Sequence, residues 1–218
     1  MPPLRYLIYF GHAFLLINAL LYIKSYRKNS VAFNIYTFYL SFILIIQLIT
    51  SYKGYFKENN IYLSHYYFIG QFVLLSLLFK KILKKRVLQK VITIILIFTL
   101  IALSVFYIIY PSSYYQFNIF EILLTSIPLI LFCFLFFIQT IDGSDKKFIY
   151  IISGFFLYVL CSTLLFSAGN LEKDTRNIIW WTNSILYLVY QLLIFVEWYK
   201  HLKKPIKKLP VKTIDYKQ

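Results

Sequence analysis

The sequence predicts an all-α, polytopic membrane protein: a bundle of seven transmembrane helices with its N-terminus outside and its C-terminus in the cytoplasm. Three observations predict it. Of the 218 residues, 60% are hydrophobic and only 14% are charged, whereas roughly a quarter are charged in an ordinary soluble domain. The apolar residues fall in unbroken blocks about as long as a membrane-spanning helix. The basic residues, which carry the net charge to +15, gather between alternate blocks. With 22 Phe and 21 Tyr, the chain is also far from the composition of a disordered one.

The spans follow in order. The first is 4–23, ending at Lys24; no small-residue cleavage motif follows it, so it reads as a retained helix rather than a signal peptide. The second is 31–51. The third is 61–79, closed by Lys80 and Lys81. The fourth, 91–110, stops at Pro111, which cannot continue a helical hydrogen-bond ladder. The fifth is 118–141. The sixth, 148–168, ends at Gly169 and Asn170, residues suited to a helix C-terminus. The seventh is 178–199. Continuous apolar runs favour helices over barrel strands, which alternate. Residues 1–200 thus form one membrane domain, and 201–218 a basic cytoplasmic tail.

Orientation follows from Lys and Arg. With the N-terminus outside, 18 of them face the cytoplasm: three at 24–28, six between Lys80 and Lys90, Lys146 and Lys147, and seven from Lys200 onward. The other side receives five, Arg5, Lys53, Lys57, Lys173 and Arg176. That asymmetry predicts N-out and C-in, in a bacterial inner membrane. It also accounts for the net charge without nucleic acid as a partner. The basic tail and the Lys80–Lys90 loop either fix topology alone or touch anionic lipid or an acidic partner.

Several chemistries are excluded by what the sequence lacks. There is no H-E-x-x-H, no G-x-S-x-G and no phosphate loop. Cys133 and Cys161 both lie inside apolar segments and read as small buried hydrophobes, neither a disulfide nor a metal pair. Gly143-Ser144 falls in a cytoplasmic turn, away from any intramembrane nucleophile. The seventh span has no interior Lys, which removes a retinal Schiff base, and the Pro-Gln signature of small sugar transporters is missing. No catalytic residue, metal or cofactor is assigned.

Polar side chains inside apolar spans are costly and often mark function. In the expected topology His12, Gln47, His65, Gln71, Glu121, Trp181 and Asn183 all lie in the outer half, on five helices. If their faces converge they form a polar pocket for a small ligand, ringed by Tyr62, Tyr66, Tyr67 and Trp180. The alternative is that each joins two helices by hydrogen bonding, the reading favoured for Gln71, Asn18, Asn34, Gln139 and Gln191. Glu121 also suits the first turn of its helix, where the dipole end is positive. Glu197, at the inner end of the seventh span beside Lys200 and His201, is a weaker inner-side candidate. Asn183, Tyr187, Tyr190 and Gln191 share one helical face, with Gly154 and Tyr158 on the sixth span as a close-packed partner.

Seven helices also allow parallel halves of three around a linking fourth. The shared Asn-Ile pairs at Asn60-Ile61 and Asn177-Ile178, and the plain fourth span, are what the sequence offers for it. The stretch Tyr62-Leu63-Ser64-His65-Tyr66-Tyr67-Phe68, with Gln71-Phe72, resembles the third helix of an uncharacterised family of small bacterial seven-helix inner-membrane proteins. The run Ile178-Ile179-Trp180-Trp181-Thr182-Asn183-Ser184 resembles the start of that family's last helix. The resemblance implies the seven-helix fold and no established activity. Similar seven-helix units serve as membrane sensor modules, so any output here is expected to pass to a separate partner.

The sequence therefore leads to a receptor- or accessory-type membrane protein that binds a small ligand in an outer pocket and couples to a cytoplasmic partner. A secondary transporter of small solutes is the alternative. A membrane enzyme comes third, and would need His12 or His65 within reach of Glu121. A purely structural subunit is the fourth.

Overall fold

The computed structural model of the chain describes residues 2–26, 29–141, 146–167 and 173–202. Among them all regular structure is helical. The elements are α1 (Pro2–Lys24), α2 (Val31–Tyr55), α3 (Leu63–Ile82), α4 (Arg86–Ile109), α5 (Ile119–Ile141), α6 (Ile149–Ser167) and α7 (Lys173–Glu197). A 3-10 turn, Pro111–Tyr115, joins α4 to α5, and a π turn, Trp198–Leu202, ends the described part of α7.

Six of these helices are long and apolar enough to cross a membrane; α3 is not by that measure. The cause is local. Ser64, His65, Gln71, Ser76, Lys80 and Lys81 dilute its apolar run. Three of them, His65, Gln71 and Ser76, are buried against neighbouring helices.

Helix ends differ from the apolar runs where charged residues can carry the helix on. α4 begins at Arg86 rather than at 91, α7 at Lys173 rather than at 178, and α2 continues past 51 to Tyr55. In α4 the added turn contains Arg86, Gln89 and Lys90, good helix formers, so the backbone ladder extends beyond the apolar stretch. Ser30 caps α2 by accepting from the backbone N–H of Phe33 at 3.2 Å. Pro128 lies inside α5 without ending it. The expected helix stop at Gly169-Asn170, the turn at Gly143-Ser144 and the tail from 203 onward lie outside the described residues.

Six helices close a ring: α1 packs on α2, α2 on α3, α3 on α5, α5 on α6, α6 on α7, and α7 on α1. α4 stands outside it, against α3. α6 and α7 pack closely along their length. A Cβ on Gly154 would lie 2.9 Å from Leu193 and 3.1 Å from Tyr190, so only glycine lets these backbones come so near. The ring's interior is filled by Leu15, Phe33, Phe72, Phe132, Phe155 and Ile194, all essentially inaccessible.

The outside of the bundle is apolar. On α4, Ile94, Phe98, Ile101 and Ile108 are each more than half exposed. An apolar girdle of this extent is penalised by water and accepted by lipid. With six spanning helices, the chain is a multi-pass membrane protein.

Candidate functional site

The end of α2, the starts of α3 and α5, the end of α6 and the start of α7 meet at one end of the bundle. Between them lies a cavity of about 640 Å³, within the roughly 300–1,000 Å³ typical of small-molecule sites. Its polar groups are Gln47, Thr50, Asn60, Ser64, Tyr67, Tyr158 and Asn183, and its aromatic walls include Phe68, Phe117, Phe166 and Trp180. Each helix contributes a short arc, because only the side chains on its ring-facing side reach the hollow. On α7 this is the face carrying Asn183, Tyr187, Tyr190 and Gln191; Tyr190 and Gln191 are buried deeper in the bundle.

Behind the cavity wall sits a buried ion pair. Ser64, Tyr67 and Phe68 face the hollow, whereas His65 turns between α3, α4 and α5. Its Nδ1 lies 2.7 Å from Glu121 Oε2 and its Nε2 lies 3.0 Å from the carbonyl oxygen of Tyr114. Both ring nitrogens face oxygen acceptors, and an imidazolium satisfies both at once. The Tyr107 hydroxyl on α4 donates to the same Glu121 oxygen and lies 2.9 Å from His65 Nδ1. Asn118 Nδ2 donates to Tyr107 at 3.3 Å, and Asn118 Oδ1 accepts the Glu121 backbone N–H at 3.3 Å. Asn118 is thus the N-cap of α5.

Glu121 is fully buried. Its charge is placed in the first turn of α5, where the helix dipole favours an anion. One carboxylate oxygen holds the contacts above, while Oε1 has no hydrogen-bond partner among the described residues. Above the pair, the Tyr114 hydroxyl donates to Tyr66 at 3.0 Å. That hydrogen bond, with some burial and neighbouring phenols, pushes the Tyr114 phenol up to about 12, so it remains a donor at neutral pH. A second hollow of about 510 Å³ borders His65, Tyr107 and Tyr114 on the α4 side.

The sequence-derived candidates therefore occupy several places rather than one. Gln47 and Asn183 line the cavity. His65 and Glu121 meet each other behind its wall. His12 lies on the α1 side, with Nδ1 3.4 Å from Ser51 Oγ and Gln47 alongside. Gln71 is deeper, accepting from Tyr39 at 3.1 Å. Trp180 lines the cavity; Trp181 is half-buried and outside its lining.

From the cavity a band of buried polar groups runs along α7. Tyr67 and Tyr158 share a hydroxyl contact of 3.3 Å, and the Tyr158 ring stacks on Tyr190. Tyr190 meets Tyr36 at 3.1 Å, Asn18 donates to Gln191 at 3.0 Å, and Tyr22 donates to the Ile194 carbonyl at 3.2 Å. At the far end Glu197, fully buried, caps α6. Its Oε1 accepts from Phe148 N–H at 2.7 Å and its Oε2 from Tyr150 N–H at 2.9 Å. His201, one turn on, lies 2.9 Å from the same Oε1. The capped turn is strained, because Phe148 has φ of 68°, a region that bulky residues seldom adopt.

Comparison with protein-family models, with curated proteins and with solved structures finds no match to this chain. The site is accordingly read from its own chemistry. Among the described residues, no three His, Cys, Asp or Glu side chains gather as a metal site. What the arrangement offers is a hollow with fixed amides and hydroxyls, a buried ion pair supporting its wall, and a polar band connecting it to a capped turn at the opposite end.

Sequence reasoning passed over Tyr107 and Asn118. Asn118-x-x-Glu121 has the spacing of a capping box, which marks Asn118 as a cap; here the carboxylate turns away from its own helix to His65. Nothing distinguishes Tyr107 from the chain's other tyrosines.

Proposed function

We propose that this is a ligand-binding membrane protein of receptor or accessory type, in a bacterial inner membrane. Seven spans, with α3 crossing as a buried partner, carry the N-terminus outside and the C-terminus inside. The cavity then opens on the outer half and the basic turns face the cytoplasm. The 18-to-5 distribution of Lys and Arg supports this orientation. A cysteine placed at Lys57, in a Cys133→Ala, Cys161→Ala background, is expected to react with an impermeant maleimide on intact cells. One at Lys85 is expected to react only after lysis. The opposite pattern would reverse the topology.

The observation that carries the function is the cavity: about 640 Å³, bordered by Gln47 and Asn183 and walled by aromatic rings. Its α7 side continues through Tyr190 and Gln191 to the Glu197 cap, so a ligand drawing α6 and α7 together at one end bears on the turn at the other. Such a ligand transmits a signal only if it binds two bundle arrangements with different affinity. The basic cytoplasmic turns supply the surface for a signalling partner or for anionic lipid. The protein is to be purified from its native membrane and analysed intact by native mass spectrometry. A bound small molecule is expected, and it should be lost from a Gln47→Leu, Asn183→Leu variant. A wild-type protein that carries none, or a variant that keeps it, contradicts the reading.

A second reading rests on the polar band. Tyr158, Tyr190, Tyr36 and Tyr22 form a closed, packed succession of hydroxyls toward Glu197, and transport of a small solute would need this packing to open alternately from either side. Flux of the copurified molecule into proteoliposomes, abolished by Tyr190→Phe with Tyr36→Phe, would favour transport over signalling.

A further inference from the structure

α4 stands outside the ring of six helices, and beside it runs a trough, the second hollow of about 510 Å³. Tyr66, Ile69 and Gly70 of α3 form its floor. Phe42 of α2 makes one wall, and Leu100, Ser104 and Tyr107 of α4 make the other. Tyr114, in the 3-10 turn, stands at one end. A Cβ on Gly70 would overlap the Phe42 ring, so glycine lets that ring lie against the α3 backbone.

We propose that this trough is a lipid site: an acyl chain of a bilayer phospholipid lies along it, and the ester carbonyl of that chain accepts a hydrogen bond from Tyr66. The trough opens to the bilayer. Tyr66, Gly70, Val73 and Leu77 share one face of α3, and Tyr66 and Leu77 are exposed. On α2, Phe38 and Ile45 lie one turn to either side of Phe42, and both are more than half exposed. On α4, Ile97, Ile101 and Ile108 are more than half exposed as well. In a membrane these surfaces meet hydrocarbon and not water, so hydrocarbon is what enters between them.

The trough also has the polarity of a lipid chain. Tyr66, Tyr107 and Tyr114 gather at one end, while Phe42, Ile69 and Leu100 lie toward the other. From Tyr107 to Leu100 the helix rises about 10 Å, against about 15 Å of hydrocarbon in one leaflet. At the phenolic end, Tyr114 donates to the Tyr66 hydroxyl at 3.0 Å. A phenol carries one proton and accepts besides, so the proton of Tyr66 is left without an acceptor among the described residues. Tyr66 is half exposed, and a lipid ester carbonyl supplies what its proton lacks. His65, which borders the trough, is engaged by Glu121, and no other Asp, Glu, Lys, Arg or His lines it. All residues of this region, 29–141, are described. The trough thus offers no free counter-charge to a phosphate or an ammonium, and it takes the chain of the lipid rather than its head. It lies on the other side of α3 from the large cavity and stands apart from that cavity's ligand.

The full chain, purified in mild detergent and washed free of loosely held lipid, is to be analysed intact by native mass spectrometry. One phospholipid per chain is expected to stay. Ser104→Phe, which fills the trough from α4, should lose it, whereas Phe98→Ala, on the exposed face of the same helix, should keep it. Leu100→Trp fills the trough from deeper and serves if Ser104→Phe loses its helical circular dichroism. The stripped protein is then titrated with a diester phospholipid and with its diether analogue of the same chains and head. The diester should bind at least threefold tighter, and Tyr66→Phe should take both alike. No retained phospholipid and no saturable binding, or a phospholipid that survives filling of the trough, overturns the site. A retained isoprenoid, or a second copy of the chain, that filling the trough releases overturns the occupant. Equal binding of diester and diether by the wild type overturns the role of Tyr66.

Discussion

Glu121→Ala is expected to lower stability by about 3 kcal/mol, the lower part of the roughly 3–5 kcal/mol range for breaking one side of a buried ion pair. The substitution leaves His65 Nδ1 and the Tyr107 hydroxyl facing a void where a carboxylate oxygen stood. The lower figure applies because a chain unfolded within lipid also finds partners for its polar groups. Part of the loss is recovered by Glu121→Gln, which keeps the shape and an oxygen acceptor but not the charge. Reversible unfolding by SDS in mixed micelles, followed by helical circular dichroism, measures both. His65→Ala and Glu121→Ala should be clearly non-additive, since contacting residues commonly show coupling of about 0.5–3 kcal/mol. A Glu121→Ala protein within about 0.5 kcal/mol of wild type, the range of an unremarkable surface change, would mean the pair does not hold α3 to α5.

The second large effect is expected at the other end. Glu197→Ala removes both acceptors of the α6 N-terminus, the carboxylate oxygens that hold Phe148 N–H and Tyr150 N–H. Hydrogen bonds to charged groups are worth about 1.5–3 kcal/mol each. Relaxation of the positive φ at Phe148 returns about 1 kcal/mol or more of strain. The net expectation is a loss of about 2–5 kcal/mol, concentrated in this turn. Hydrogen exchange of the Phe148 and Tyr150 amides should quicken together in Glu197→Ala. In Glu197→Gln, which keeps one acceptor oxygen, only one of the two should quicken strongly. Unchanged exchange in both variants would show that water or another group already serves these amides.

The two acids also show where a sequence stops being readable. Each was conspicuous as a carboxylate in or beside an apolar run, and the helices themselves were legible because lipid demands long apolar blocks. What could not be read was the partner. Glu121 and His65 are 56 positions apart, and only the packing of α3 on α5 brings them together. Glu197 is satisfied by backbone amides, which every residue but proline possesses and no sequence pattern advertises. Helix starts were misplaced at Arg86 and Lys173 because the apolar block measures membrane thickness, whereas the helix follows hydrogen bonding past it. In the cavity, Gln47 and Asn183 stood out by type. Ile46, Phe117 and Phe166 did not, since an apolar residue facing an internal hollow looks the same in sequence as one facing lipid.

Chain order gives the two carboxylates a further meaning. His65, Tyr107 and Asn118 all precede Glu121, and Phe148 and Tyr150 precede Glu197. Proteins are made and folded from the N-terminus onward. When each acid leaves the ribosome and enters the bilayer, these donors have already been made; of the groups that meet Glu197, His201 alone follows it. A carboxylate arriving first would wait unpaired in hydrocarbon; here the biosynthetic sequence itself spares each one that wait.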